Sequence, residues 1–228
     1  MLKFLPYAFT IYLLSVIGAS TPVEADKSAP VVDSLLDVVS DETLDYKKRV
    51  NILKRALRDD KTGKAMHALA KLYIGKGTVS SRYDASLWLQ RAIRKDRNNA
   101  DFLHTYADLL WTIGRRGTAR KYAKRAIEKD PNNAGALYLA GRYAAWQMTR
   151  YLDAEWVDYN YGDYGVTEKS FSLERFAEPE RKESEAYLSR ALAADPKHRP
   201  ARILLGLVYY ESGMPNELID LFRDQLKD

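Results

Sequence analysis

The feature that most constrains this chain is a spacing of large and small apolar residues that recurs about every 34 residues. Its clearest copy runs from Ala100 to Asn133. Its first half holds the large residues Leu103, Tyr106 and Leu110 and one small residue, Ala107. Its second half holds the alanines Ala119, Ala123 and Ala126. Small residues let two helix backbones approach closely, and large residues fill the remaining space. The spacing therefore predicts a pair of closely packed helices.

Turn and cap residues divide this copy where two helices would need them. Gly114 falls between the predicted helices. Pro131 ends the second helix because proline cannot donate the helical hydrogen bond. Asn132 and Asn133 then offer side-chain oxygens that can cap the next helix.

The same spacing occurs in two later frames. The first of these frames begins at Ala134 and has the matching residues Leu137, Ala140, Gly141, Ala144, Ala191 and Pro196. The second begins at Arg199 and has Leu205, Gly206, Tyr209, Gly213, Leu218 and Phe222. Helix pairs that repeat along a chain stack into a solenoid, because each pair buries its apolar face against its neighbours.

These positions resemble the tetratricopeptide repeat (TPR), whose helices are named A and B. The resemblance covers roughly residues 45–150 and 182–228. It implies an all-α, right-handed solenoid of about four helix pairs, with a concave groove that receives peptides or protein segments. The pair over about 65–99 has Arg97 where proline is expected and resembles the Sel1-like variant, through Ala65, Leu69, Ala70, Tyr73, Gly75, Gly77, Ala85, Trp88, Leu89 and Ala92.

The N-terminal 25 residues have the pattern of a secretory signal peptide. Lys3 precedes an apolar run from Phe4 to Ala19, and Val23 and Ala25 have the spacing that signal peptidase recognises. We expect cleavage after Ala25, with Ala19 or Ser20 as alternatives. The competing interpretation is an uncleaved anchor, although a run of about 16 residues is short of the ~20 that span a bilayer. Cleavage would place the chain outside the cytoplasm, in a bacterial periplasm, without a stable membrane span.

The first mature residues precede the regular repeats. Residues 26–43 form an acidic leader that we expect to be loosely helical and to cap the first end of the solenoid. The solenoid itself is expected over residues 44–228. Asp45 to Arg58 would be an unpaired helix B from a degenerate leading repeat.

One repeat is too long, and the excess lies at Tyr151–Arg181, between helix A ending near Arg150 and helix B starting near Lys182. This insertion has eight acidic and three basic side chains, hence a charge of −5, and seven aromatic residues. Disordered segments are normally poor in aromatic residues, so we expect it to dock. It either packs over the neighbouring repeat or contributes to a partner site, for which the candidates are Trp156, Tyr159, Tyr161 and Tyr164.

In TPR proteins helix A lines the concave groove. Carried over residue by residue, the resemblance predicts a mixed, aromatic groove from His67, Ile74, Asp101, His104, Asp108, Trp111, Tyr138, Arg142, Trp146, Ile203, Leu207, Tyr210 and Glu211. TPRs that clamp chaperone C-termini need Lys and Asn where this chain has His104 and Asp108, which argues against that class. For Trp111 and Trp146, packing between adjacent A helices is an equal alternative to partner contact.

Little in the sequence points to catalysis. The chain has no cysteine, so thiolate chemistry and zinc–thiolate sites are excluded. His67 and His104 could approach each other, and Asp101 or Asp108 could complete a metal site, but no spacing typical of such sites accompanies them. We therefore expect no enzyme, no metal and no cofactor.

The expected partner is a protein or peptide in an envelope or secretion assembly. The alternative is a polysaccharide-export or glycan-associated factor; an enzyme is the last alternative. Basic residues cluster on the B helices, as a solvated face or as a surface for an acidic protein, anionic lipid or acidic polysaccharide. Nucleic acid is not expected outside the cytoplasm, and a homodimer through the C-terminal helices is a further expectation.

Overall fold

The chain folds into helices joined by short turns. The computed structural model describes residues 29–41, 43–159 and 169–223, and within them the backbone alone at 29–31, 150–159 and 169–177. This described part contains helices and no strand. They are α1 (Ala29–Ser40), α2 (Tyr46–Ala56), α3 (Lys64–Lys76), α4 (Val79–Lys95), α5 (Ala100–Thr112), α6 (Arg116–Lys129), α7 (Ala134–Tyr159), α8 (Lys169–Ala194), α9 (Arg199–Glu211) and α10 (Pro215–Phe222).

Cap and turn residues mark the ends of several of these helices. The Asn99 side chain accepts hydrogen bonds from the N–H groups of Asp101 and Phe102, at 3.1 and 3.2 Å, and so caps α5. Asn133 caps α7 in the same way, accepting from Ala136 at 2.9 Å. Gly114 has a φ of 82°, a left-handed conformation that glycine adopts at little cost. The two asparagine side chains satisfy backbone N–H donors that the first turn of a helix leaves unpaired.

Consecutive helices pair, and each pair packs on the next one along the chain. In the α5/α6 pair, Leu103 and Leu110 are buried between the helices, together with Ala119, Ala123 and Ala126. Burying a leucine side chain contributes about 1.5–3 kcal/mol. The all-α solenoid predicted from the repeat is confirmed.

The first two helices also form a pair, which the sequence did not predict. Val39 of α1 packs in one buried cluster with Val50 and Leu53 of α2. The Arg49 Nε donates a 2.9 Å hydrogen bond to the Val39 carbonyl at the end of α1. The expectation of an unpaired helix over 45–58 is therefore wrong, and the described part has five helix pairs instead of four.

The insertion begins and ends as helix. Helix α7 continues to Tyr159 and α8 already begins at Lys169, so the expected boundaries near Arg150 and Lys182 are wrong. Residues 151–159 contain neither glycine nor proline, and nothing in their sequence interrupts helical hydrogen bonding. In its described part, the insertion lengthens the α7/α8 pair.

None of the helices in the described part is long and apolar enough to cross a membrane. The segment 1–25, which has the pattern of a signal peptide, lies outside the described residues.

The close approach of α7 and α8 can be tested at Gly141. A Cβ atom there would lie 2.8 Å from Leu188 Cγ and 3.3 Å from the Ser184 carbonyl oxygen. We expect Gly141→Ala to lower the free energy of unfolding by about 1–3 kcal/mol, because the packed helices must separate. Urea denaturation followed by circular dichroism measures the change.

Gly117→Ala is the matched control. Gly117 is also helical, but a Cβ atom there would meet nothing within 4 Å. Alanine should leave stability unchanged or raise it by up to about 1 kcal/mol, through its higher helix propensity. Equal stability of the two variants would contradict the close approach.

Candidate functional site

The predicted groove residues lie along the A helices α3, α5, α7 and α9, and most of them line two separate cavities. Tyr138, Ile203 and Tyr210 line neither cavity. The first cavity, which we call the His–Asp pocket, has a volume of about 530 Å³. It is lined by His67, Lys71, Ile74, Gly75, Asp101, His104, Thr105 and Asp108. Five of the groove residues predicted from the sequence therefore line one cavity between α3 and α5.

His67 is held in place by two contacts. Its Nε2 atom lies 2.8 Å from the Thr105 hydroxyl oxygen. Its ring centroid lies 4.8 Å from that of Phe102. Burial and then the nearby charge of Lys71 lower the pKa of His67 from 6.5 to about 4. The imidazole is therefore neutral at pH 7.

His104 fills the space above a glycine at the start of α7. A Cβ atom on Gly135 would lie only 2.3 Å from His104 Nε2. Burial lowers the pKa of His104, against the opposing charges of Asp108 and Asp101. Although His67, His104 and the two aspartates line one cavity, no three of the described His, Asp or Glu residues converge as a metal site would require.

The second cavity, which we call the aromatic pocket, lies between α5, α7 and α9 and has a volume of about 280 Å³. It is lined by Trp111, Arg142, Ala145, Trp146, Met148, Thr149, Leu204, Leu207, Val208 and Glu211. Leu207 is 52% exposed, and the neighbouring Ile203 and Tyr210 of α9 are also exposed. An apolar surface this open is typical of a binding site.

Arginine side chains stack on the aromatic rings beside this pocket. The Arg142 guanidinium carbon lies 4.6 Å from the Trp111 ring centroid and 5.8 Å from that of Tyr138. Arg116 lies 4.8 Å from Trp146 and 5.7 Å from Trp111. Both tryptophans are half-buried and both line the cavity. Packing of both tryptophans is therefore observed, and their contact with a partner stays a prediction.

The candidates in the insertion are only partly described. The backbone of Trp156 and Tyr159 belongs to α7. Tyr161 and Tyr164 lie outside the described residues. A contribution of the insertion to the groove stays a prediction.

Some lining residues were missed by the sequence analysis. Lys71 lies one helical turn after His67, so helical periodicity alone could have found it. Thr105 directly follows His104 in the sequence. Arg116 belongs to the B helix α6, and no pattern in the repeat predicts that its guanidinium lies over the rings of Trp111 and Trp146.

The basic residues of α6 are not simply a solvated face. Arg120 Nη2 lies 2.8 and 3.0 Å from the two carboxylate oxygens of Glu183 in α8, and Lys124 lies 3.3 Å from the same carboxylate. Burial opposes ionisation of Glu183, but these two cations outweigh it and lower its pKa. Near them, Arg115, Arg116 and Lys121 line a basic cavity of about 570 Å³ at the α5–α6 turn.

Stacked helix pairs, with cavities along the A helices α3, α5, α7 and α9, define a helical repeat scaffold. Residues 100–143 match the family model described as "Tetratricopeptide repeat". The α5/α6 pair and the start of α7 therefore match a tetratricopeptide repeat, and the chain has the helical solenoid fold of TPR proteins. The Sel1-like subtype of its α3/α4 pair stays a prediction.

Solved structures of TPR proteins have the same fold. MamA is 17% identical, with a TM-score of 0.57 over 89% of this chain and 92% of MamA. YrrB, described as a TPR protein with an unusual peptide-binding site, is 17% identical, with a TM-score of 0.56 over 88% of this chain and 89% of YrrB. PilF of Pseudomonas aeruginosa is 15% identical, with a TM-score of 0.60 over 86% of this chain and 75% of PilF. Among curated protein sequences none matches.

The depressed pKa of His67 predicts a pH dependence of stability. An unfolded chain binds a proton at His67 below about pH 6.5, whereas the folded chain resists it down to about pH 4. The free energy of unfolding should therefore fall as the pH falls from 6.5 to 4. The His67→Gln variant should lose less stability over this window, as measured by urea denaturation at several pH values.

An NMR titration of the His67 ring protons provides the control. The midpoint should lie near pH 4 in the folded chain. A midpoint near 6.5, or equal pH slopes for the two proteins, would contradict the burial of this imidazole.

Proposed function

We propose that this chain is an exported, periplasmic scaffold that binds segments of partner proteins along its A helices and holds them in an envelope or secretion assembly. The observation that carries the proposal is the pair of cavities along α3, α5, α7 and α9. Trp, Tyr and Arg side chains in and around these cavities are the residue types that most often dominate binding energy at interfaces.

The similarity to YrrB supports the same proposal. YrrB is described as having a peptide-binding site, and its fold matches this chain over most of both lengths. The binding groups here differ from those of a carboxylate clamp, since His104 and Asp108 occupy the positions that would need cationic and amide donors. The partner should therefore not be a chaperone C-terminus.

The proposed role is binding and not catalysis. His67 is neutral, half-buried and engaged with Thr105 and Phe102. These contacts suit a side chain that shapes the wall of a pocket. Phenylalanine packing and a neutral imidazole also favour contact with an uncharged part of a bound segment.

A second candidate is association with an acidic polysaccharide. The basic cavity of Arg115, Arg116 and Lys121 favours it, together with Tyr143, which lines the same cavity and stacks with Arg120 at 4.8 Å. Cationic groups beside an aromatic ring suit a sugar that carries carboxylates. Retention of the chain on an alginate column that is lost in Arg115→Gln/Lys121→Gln would support this candidate.

The groove can be tested with a matched pair of variants. Leu207→Asp places a charge in the aromatic pocket, whereas Val79→Asp places one on an apolar side chain of α4 that is 84% exposed outside both cavities. We expect Leu207→Asp to reduce recovery of protein partners from native envelopes about tenfold or more, because loss of a central contact typically costs about 2 kcal/mol or more.

Affinity purification with quantitative mass spectrometry measures this recovery. Val79→Asp should recover the partners as the unmodified chain does. Equal recovery by all three proteins would show that partners do not use this face.

Export has its own test. We expect the chain produced in a bacterium to begin at Asp26, because Val23 and Ala25 are the small residues read by signal peptidase. Mass spectrometry of the intact protein from the periplasmic fraction determines the N-terminus. A chain that retains residues 1–25 and sediments with membranes would favour the uncleaved anchor.

A further inference from the structure

The aromatic pocket contains a cation whose hydrogen-bonding groups are not used by its neighbours. Arg142 is half-buried and stacks on Trp111. Among the described residues none accepts a hydrogen bond or ion pair from it, whereas Arg120 is paired with Glu183. A buried or half-buried arginine normally has such an acceptor, because desolvation of an unpaired charge is costly.

Two aromatic rings lie beside this guanidinium and favour a stacked orientation. The rings of Trp111 and Tyr138, at 4.6 and 5.8 Å from its central carbon, contact the group through favourable cation–π interactions. A stacked guanidinium still presents its N–H groups at its edge, in a planar fork that matches a carboxylate. Arg142 is thus prepared to bind an anion with little loss of side-chain entropy.

The space next to Arg142 is apolar and small. The remaining walls come mainly from Trp146, Met148, Leu204 and Leu207. Its volume of about 280 Å³ is just below the range of about 300–1,000 Å³ that is usual for small-molecule sites. It suits one bulky apolar side chain of a bound segment.

We propose that the protein segment bound in this groove carries an Asp or Glu side chain beside a bulky apolar side chain. Arg142 binds the carboxylate, and the aromatic pocket receives the apolar side chain. This inference rests on the proposed function and adds the chemistry of the partner to it. Glu211, the one acidic residue among the lining residues, is exposed on α9 and would disfavour an acidic group on its own side of the pocket.

The test is selection of a displayed random peptide library on the purified full-length chain. We expect the selected sequences to place Asp or Glu within two residues of Phe, Trp, Leu or Met. A capped synthetic peptide of the best sequence should bind about tenfold more weakly when its acid is replaced by the matching amide, since it then loses a charge-assisted bidentate contact.

Variants of the chain assign that preference to Arg142. In Arg142→Gln the acidic peptide and its amide counterpart should bind with affinities within about twofold of each other. Arg142→Lys should recover only part of the preference, because lysine keeps the charge but not the planar fork. Glu211→Gln should leave the affinity unchanged or raise it. Circular dichroism confirms that each variant is folded.

Separate outcomes overturn the inference and the proposed function. Peptides that lose binding in Leu207→Asp but show no preference for acid would leave the groove as a binding site and overturn the inference. A preference for Lys or Arg that weakens in Glu211→Gln would overturn it as well. Failure to select any peptide, or selected peptides that bind Leu207→Asp unchanged, would count against the proposed function itself.

Two other occupants would also overturn the inference. A dimer whose formation depends on concentration and is abolished by Leu207→Asp would show that a second copy of the chain fills the pocket. An oligo-alginate that competes with the selected peptide and depends on Arg142 would show that the carboxylate belongs to a sugar. Light scattering and fluorescence competition distinguish these outcomes.

Discussion

The structure depends on how closely the two helices of each pair approach each other. Ala107 and Ala123 are fully buried between α5 and α6, and Gly141 lies against Leu188 in the next pair. A larger side chain at any of these positions would separate the helices and change the angle between successive pairs. Because each pair contacts mainly its neighbours, this angle decides how the A helices line up. Both cavities exist only because that alignment is maintained.

The tryptophans of the aromatic pocket are packed by side chains from both kinds of helix. Trp111 and Trp146 come from A helices, but Arg116 reaches them from the B helix α6. Each ring is half-buried, borders the cavity and has an arginine guanidinium within 6 Å of its centroid. Under the proposed function, packing between repeats and recognition of a partner would use the same side chains.

Much of this arrangement follows from the sequence. The spacing around Leu103 and Ala119 fixed the helix pair, and the A-helix positions brought His67 and His104 to one cavity. The pairing of α1 with α2 could not be predicted, because Val32 and Val39 belong to no recognisable repeat and act through tertiary contact. The lengthened α7 and α8 were missed since repeat spacing gives the minimum length of a helix and not its end. Contacts of Arg116 and Arg120 depend on the reach of long side chains, which residue spacing does not encode.

The last helix pair, α9 and α10, links local opening of the fold to the aromatic pocket. Helix α10 has no buried residue, and among the described helices it packs only on α9. A unit with so few apolar contacts opens more readily than the interior of the solenoid. Leu204, Leu207 and Val208 of α9 form one wall of the aromatic pocket, so that wall belongs to the least protected described end of the fold. Ligand occupancy would shift the opening equilibrium of α9 and α10, and slower hydrogen exchange there would accompany complex formation.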